Sequence, residues 1–254
     1  MNLFFKTPRL PHIILGAGAL GLILRLWLMS TADSHGLLPT NHPADTLVWL
    51  LTGIVIVFLL LGCRSLLAAN KYSFNFPASL PGCIGTGLMG AAILICSVTE
   101  LSTAADGITR AVAIIGLLCA AALGFLAYCR FTGAHPTFFF HALVSIYLLL
   151  RLVSLYRQWS SDPQLQDYAF QLLATVFLML ASYHRIAFDA NSGSRRHYAF
   201  FALGAVFFCC TALPHCSNAV FFIAGAVWMF TNLCSLLPMP RVKRNPGIAP
   251  REET

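Results

Sequence analysis

The sequence predicts an all-α, polytopic integral membrane protein with about eight transmembrane helices, and three observations carry that expectation. Hydrophobic residues fill 58% of the 254 positions and charged residues only 10%, too little polar surface for a soluble globule of this size. Apolar runs close to the roughly 20 residues that a bilayer-spanning helix needs recur along the chain. These runs and their short connections consume nearly all of it, so a single transmembrane domain is expected, without room for a soluble catalytic or nucleic-acid-binding domain.

The first apolar stretch, from about Ile13 to Met29, follows a segment carrying Lys6 and Arg9. It lacks a small-x-small cleavage pattern and more spans lie downstream, which predicts an uncleaved first helix rather than a signal peptide. Within it the run Gly16 to Gly21, GAGALG, offers a small-residue face for close helix packing. No strand precedes this run, so it is not a phosphate loop. The next loop holds no Lys or Arg and is broken by Pro39 and Pro43. A second helix is expected from about Thr46 to Gly62 and a third from about Cys83 to Leu101, through Gly85, Gly87 and Gly90. Asp106 and Arg110 mark a short turn before helix four, about Ala111 to Tyr128. Helix five runs from about Phe138 to Leu155 and helix six from about Tyr168 to Phe188. The remaining two run from about Tyr198 to Leu213 and from about Ala219 to Leu237, ahead of a basic tail at 241–254.

Eight crossings put both termini on one side, and the distribution of cations chooses which. One side would hold Lys6, Arg9, Arg64, Lys71, Arg130, Arg185, Arg195, Arg196 and the basic residues of the tail; the other would hold Arg110 and Arg157. Both termini are therefore expected in the cytoplasm, with the protein in the cell membrane. The net charge of +7 is scattered over loop ends and the tail, not gathered in one groove, so it reads as topology and not as nucleic-acid binding.

A duplication is also legible at low identity. LILRLWLM around Arg25 resembles YLLLRLVS around Arg151, and the two arginines stand 126 positions apart. Each precedes a polar loop and an apolar helix that opens just after an aspartate, Asp45 or Asp167. Those helices end with Arg64 and Arg185, each six residues before an asparagine, Asn70 or Asn191. Halves at 1–133 and 134–240, with four helices each, would share one orientation and relate by a pseudo-twofold axis along the membrane normal.

The densest polar chemistry lies from Tyr147 to Ala174. Arg151 sits inside a helix, with Arg157, Trp159, Asp162 and Asp167 in the crossing that follows. A guanidinium at the centre of a span costs about 2.5 to 3.5 kcal/mol on insertion scales, so it is paired, functional or able to reach the interface. Two readings follow. In one, Arg151 pairs with Asp167 or Asp162 and Arg25 with Asp45 or Asp33, pinning helix ends together. In the other, Arg25, Arg151, Arg157, Asp162 and Asp167 form a binding site for an anionic or zwitterionic solute, where arginine suits planar, bidentate contacts.

Other residues have plainer explanations. Asp162-Pro163 is a helix start, Tyr156, Trp159 and Tyr168 belong to an interfacial aromatic belt, and Glu100 is an interfacial carboxylate. His141 and His184 lie near the same end of the bundle, but a bis-histidine haem has no further signature here. The nine cysteines lie in or beside apolar runs without CxxC or CxxxH spacing, as small buried hydrophobes do. Neither a disulfide framework, a metal, nor a cofactor is expected. No nucleophile elbow, HExxH, Walker A or dinucleotide fingerprint is present. The expectation is a small-solute transporter or solute-binding membrane component, in contact with the lipid bilayer. The alternatives are an accessory or sensory protein working through a protein partner, and an intramembrane lipid-modifying enzyme.

Overall fold

A computed structural model describes residues 9–31, 42–64, 66, 72–103, 106–159, 168–216 and 218–236. All regular structure among them is helical. The elements are α1 (Leu10–Ser30), α2 (Pro43–Arg64), a single turn α3 (Tyr72–Asn75), α4 (Leu80–Thr103), α5 (Gly107–Thr132), α6 (Phe138–Trp159), α7 (Ala169–Asp189), α8 (Arg195–Ala212), a 3-10 turn at Leu213–His215 and α9 (Ala219–Cys234). Six of them, α1, α2 and α4 to α7, are long and apolar enough to cross a membrane. The chain is thus an all-α, multi-pass membrane protein. The two remaining long helices, α8 and α9, have 18 and 16 residues, a length of about 24 to 27 Å at 1.5 Å per residue.

Helix ends follow local chemistry and generally lie beyond the hydropathy boundaries. Pro11 sits at the opening of α1 and Pro43 begins α2, where a missing N–H costs nothing. Asp45 in the first turn of α2 complements its macrodipole. At the far end of α5, Gly133 takes φ 76° and its N–H donates to the Cys129 carbonyl at 2.9 Å, a left-handed cap that glycine adopts without steric penalty. The expected span Ala111 to Tyr128 is therefore about a turn short at each end. Helical hydrogen bonding continues into interfacial turns whose side chains are already polar.

The packing closes a ring. Each of α4, α5, α6, α7, α8 and α9 packs on the next, and α9 returns to α4, while α1 and α2 lie against α8 from outside. This leaves α8 the most enclosed helix, with Ala202 through Cys209 buried without interruption. The glycine run of α1 serves that contact. A Cβ on Gly18 would stand 3.0 Å from the Cys210 side chain, and one on Gly21 would collide with Thr211, whereas Gly16 faces open space. The halves proposed from the duplication meet through α1–α8, α2–α8, α4–α9 and α5–α6; the counterpart pairs α4–α6 and α5–α8 are not among the principal packings. All nine cysteines are free thiols.

Candidate functional site

Polar side chains gather at both ends of the ring, with an apolar plug between them. At one end, α6 carries Arg151, 3% exposed. Its Nη1 donates to Glu100 Oε1 of α4 at 2.8 Å and, at 3.4 Å, to the hydroxyl of Tyr147 one turn earlier. The guanidinium also lies over the Phe221 ring of α9, 4.7 Å from its centroid. Gly116 of α5 admits this arrangement, since a Cβ there would meet both Ser97 and the Tyr147 ring. Arg151 forms the floor of a cleft of about 460 Å³, whose walls include Glu100, Asp106, Ser154, Gln158 and Asn218. Asp106, a wall residue just before α5, pairs with Arg157; both are exposed.

Of the two arginines only Arg151 lines the cleft, and Arg157 reaches it through Asp106; Glu100 and Asp106 are the carboxylates their guanidinium groups meet. Asp162 and Asp167 lie outside the described residues, as does the tail at 241–254. Arg25 is buried at the same end of the bundle but lies elsewhere, over the Phe170 ring of α7 at 4.9 Å, and it does not line the cleft. Asp45 stands in the first turn of α2 beside α1.

The plug consists of fully buried side chains at mid-helix positions, among them Met89, Cys119, Leu123, Leu148 and Leu178. Gly225 of α9 lets Leu178 cross the ring: a Cβ there would stand 3.0 Å from the leucine's methyl.

At the opposite end a second cluster surrounds Phe76, just after α3. The Arg185 guanidinium of α7 lies 4.9 Å from the Phe76 centroid and 5.9 Å from that of Trp228, and the Arg130 guanidinium of α5 lies 5.5 Å from Phe76. Arg130 donates through its two terminal nitrogens to the Pro77 carbonyl at 2.8 Å, Ser79 Oγ at 3.1 Å and Ser235 Oγ at 2.7 Å, while its Nε meets no partner. Arg185 has no exposure, and none of its three nitrogens meets a hydrogen-bond partner. Beside them, His141 Nδ1 and Asp189 Oδ2 form a buried pair at 2.7 Å. Along the same α6–α7 hairpin, Ser145 donates to Ser182 at 3.0 Å. An apolar groove of about 390 Å³ opens between these helices, lined in part by Ser145, Met179 and Tyr183, but neither His141 nor Asp189 lines it.

The Arg151–Glu100 and His141–Asp189 pairs join residues 51 and 48 positions apart. Hairpin register is the sequence signal for the second, because α6 and α7 run antiparallel and bring the start of one beside the end of the other. His184 goes to a different neighbour, stacking on Phe201 at 5.1 Å, so the two histidines do not form a pair. Among the described residues, no group of three or more His, Cys, Asp or Glu side chains is arranged to hold a metal ion.

Fold and site define the class: a polytopic α-helical membrane protein with buried polar clusters at both ends of a closed helix ring. No protein-family model matches the chain, no curated protein matches it, and no solved structure matches it.

Proposed function

We propose that the protein is a solute-binding membrane component, working as a transporter for a small zwitterionic solute that docks in the Arg151 cleft. One observation carries this reading: a buried guanidinium forms the floor of a polar cleft open at the bundle end, beside carboxylates of opposite charge. A carboxylate on the solute would take Arg151 in the planar geometry arginine favours, and an ammonium group would face Glu100 and Asp106. Because the Arg151–Glu100 pair is held in the resting state, a solute bearing both charges replaces each partner without leaving either ion uncompensated. Removing one member of such a pair is costly, about 3 to 5 kcal/mol when it is fully buried. Passage through the bundle would require the plug around Leu178 and Leu148 to part, with α7 and α9 moving against each other.

The test is thermal stability of the detergent-purified protein with amino acids, simple carboxylates, phosphates and quaternary amines. A solute at about 100 times its dissociation constant stabilises the folded state by about 2.7 kcal/mol. Zwitterions are expected to raise the midpoint of the wild type and of Gly16→Ala, which faces open space away from the cleft, but not of Arg151→Gln. If no solute class stabilises the wild type, or if Arg151→Gln retains the full shift, the cleft is not a solute site.

A further inference from the structure

We propose that the groove between the Arg64 end of α2 and the first turns of α8 binds an anionic phospholipid from the adjoining membrane leaflet. The groove holds about 380 Å³ and lies at the opposite end of the bundle from the Arg151 cleft, so it does not depend on the solute reading. Its chemistry is layered along the helix axes. Arg64 is the last residue of α2 and Arg196 the second of α8, which sets both guanidinium groups and the neighbouring His197 around one mouth. Leu60 stands one turn below Arg64, and Phe200 one turn below Arg196; with Cys63 and Phe201 they form the wall beneath. A helical turn is about 5.4 Å, so charge gives way to hydrocarbon over the distance that separates a phosphate from its acyl chains. A soluble anion would use the mouth and leave the wall unused.

The mouth is electrostatically open. Among the described residues, no carboxylate pairs with Arg64 or Arg196 and none lines the groove. Arg196 is nevertheless held in place, because its Nε donates to the Leu66 carbonyl at 2.9 Å, a contact that positions the guanidinium without neutralising it. The N-terminal end of α8 adds the positive end of a helix dipole. Behind the mouth, Phe201 is stacked on His184, whose ring lies 5.5 Å from that of His197, so the wall is braced from α7. Basic sites of this kind between helix ends are where anionic headgroups collect.

The experiment places wild type and Arg64→Gln/Arg196→Gln in nanodiscs of mixed phosphatidylglycerol and phosphatidylcholine, then measures by native mass spectrometry the lipid retained on release. Wild type is expected to retain phosphatidylglycerol preferentially. The double variant is expected to bind it roughly thirtyfold more weakly, the fold-change for two cations at about 1 kcal/mol each, while Arg64→Lys/Arg196→Lys keeps the preference. Both arginines are exposed, so the variants are expected to fold. The wild type alone also decides. Equal retention of both lipids overturns the proposal, and so does displacement of phosphatidylglycerol by glycerol phosphate at matching concentration, which would mark a site for free phosphate.

Discussion

Arg185 is a guanidinium with no exposure and no hydrogen bond, held between two aromatic faces. Desolvated cation–π contacts are worth about 2 kcal/mol or more each, whereas burying a charge without hydrogen bonds costs more than two such contacts return. The charge is therefore a burden on the fold, and the shape is what packs. Arg185→Met, which keeps the length and removes the charge, is expected to be at least as stable as wild type in thermal unfolding. Arg185→Lys, with a compact and strongly hydrated ammonium, is expected to lose about 1 to 2 kcal/mol. A large loss in the Met variant would mean that the positive charge itself is required at this position. In the sequence, Arg185 is legible only as a charge at the end of a span, since the rings that enclose it come from the residue just after α3 and from α9. Arg151 stood out in the sequence, because an arginine inside an apolar run is conspicuous. Glu100 was not legible as its partner, because that depends on how α4 packs beside α6.

Among the helices, the α4–α9 seam shows how small residues set approach distances. A Cβ on Gly85 would collide with the Thr231 side chain, whereas one on Gly87 would meet nothing. Gly85→Ala is expected to cost about 1 to 3 kcal/mol through overpacking. Gly87→Ala is expected to be neutral or to stabilise by up to about 1 kcal/mol through helix propensity; thermal midpoints of the two variants compare them directly. Equal effects would show that α4 and α9 do not meet along this face. In the sequence, Gly85, Gly87 and Gly90 are simply glycines along one expected span. Which glycine serves which neighbour depends on helix rotation, which hydropathy does not encode: Gly90 turns to Leu123 of α5, whose Cβ a side chain there would approach to 3.3 Å. The run in α1 behaves the same way, with Gly18 and Gly21 spent on α8 and Gly16 left outside.

For the whole molecule, eight helices were legible as apolar runs, of which six, α1, α2 and α4 to α7, are long and apolar enough to cross a membrane. Closure of six helices into a ring was not legible, because pairing order leaves no trace in composition. The orientation expected from the cations remains open to direct measurement. A reporter active only in the cytoplasm, fused at the C-terminus, is expected to be active, and the same reporter inserted between α4 and α5 is expected to be silent. Activity at the second position and silence at the first would invert the bundle and exchange the faces of the solute cleft and the lipid groove.

The enclosure of α8 has a consequence for how the protein is made. It is the least apolar of the eight long helices and opens with Arg195, Arg196 and His197, yet it occupies the middle of the assembly, touching α1, α2, α7 and α9. Such a segment partitions poorly from the translocation channel into lipid as a lone helix, since it is short and its two terminal arginines must reach the headgroups. Its neighbours α1, α2 and α7 all emerge from the ribosome earlier, and together they offer it a protein surface to enter against. Damage to that surface, for instance at Gly21, would then surface first as a helix left outside the bilayer during synthesis.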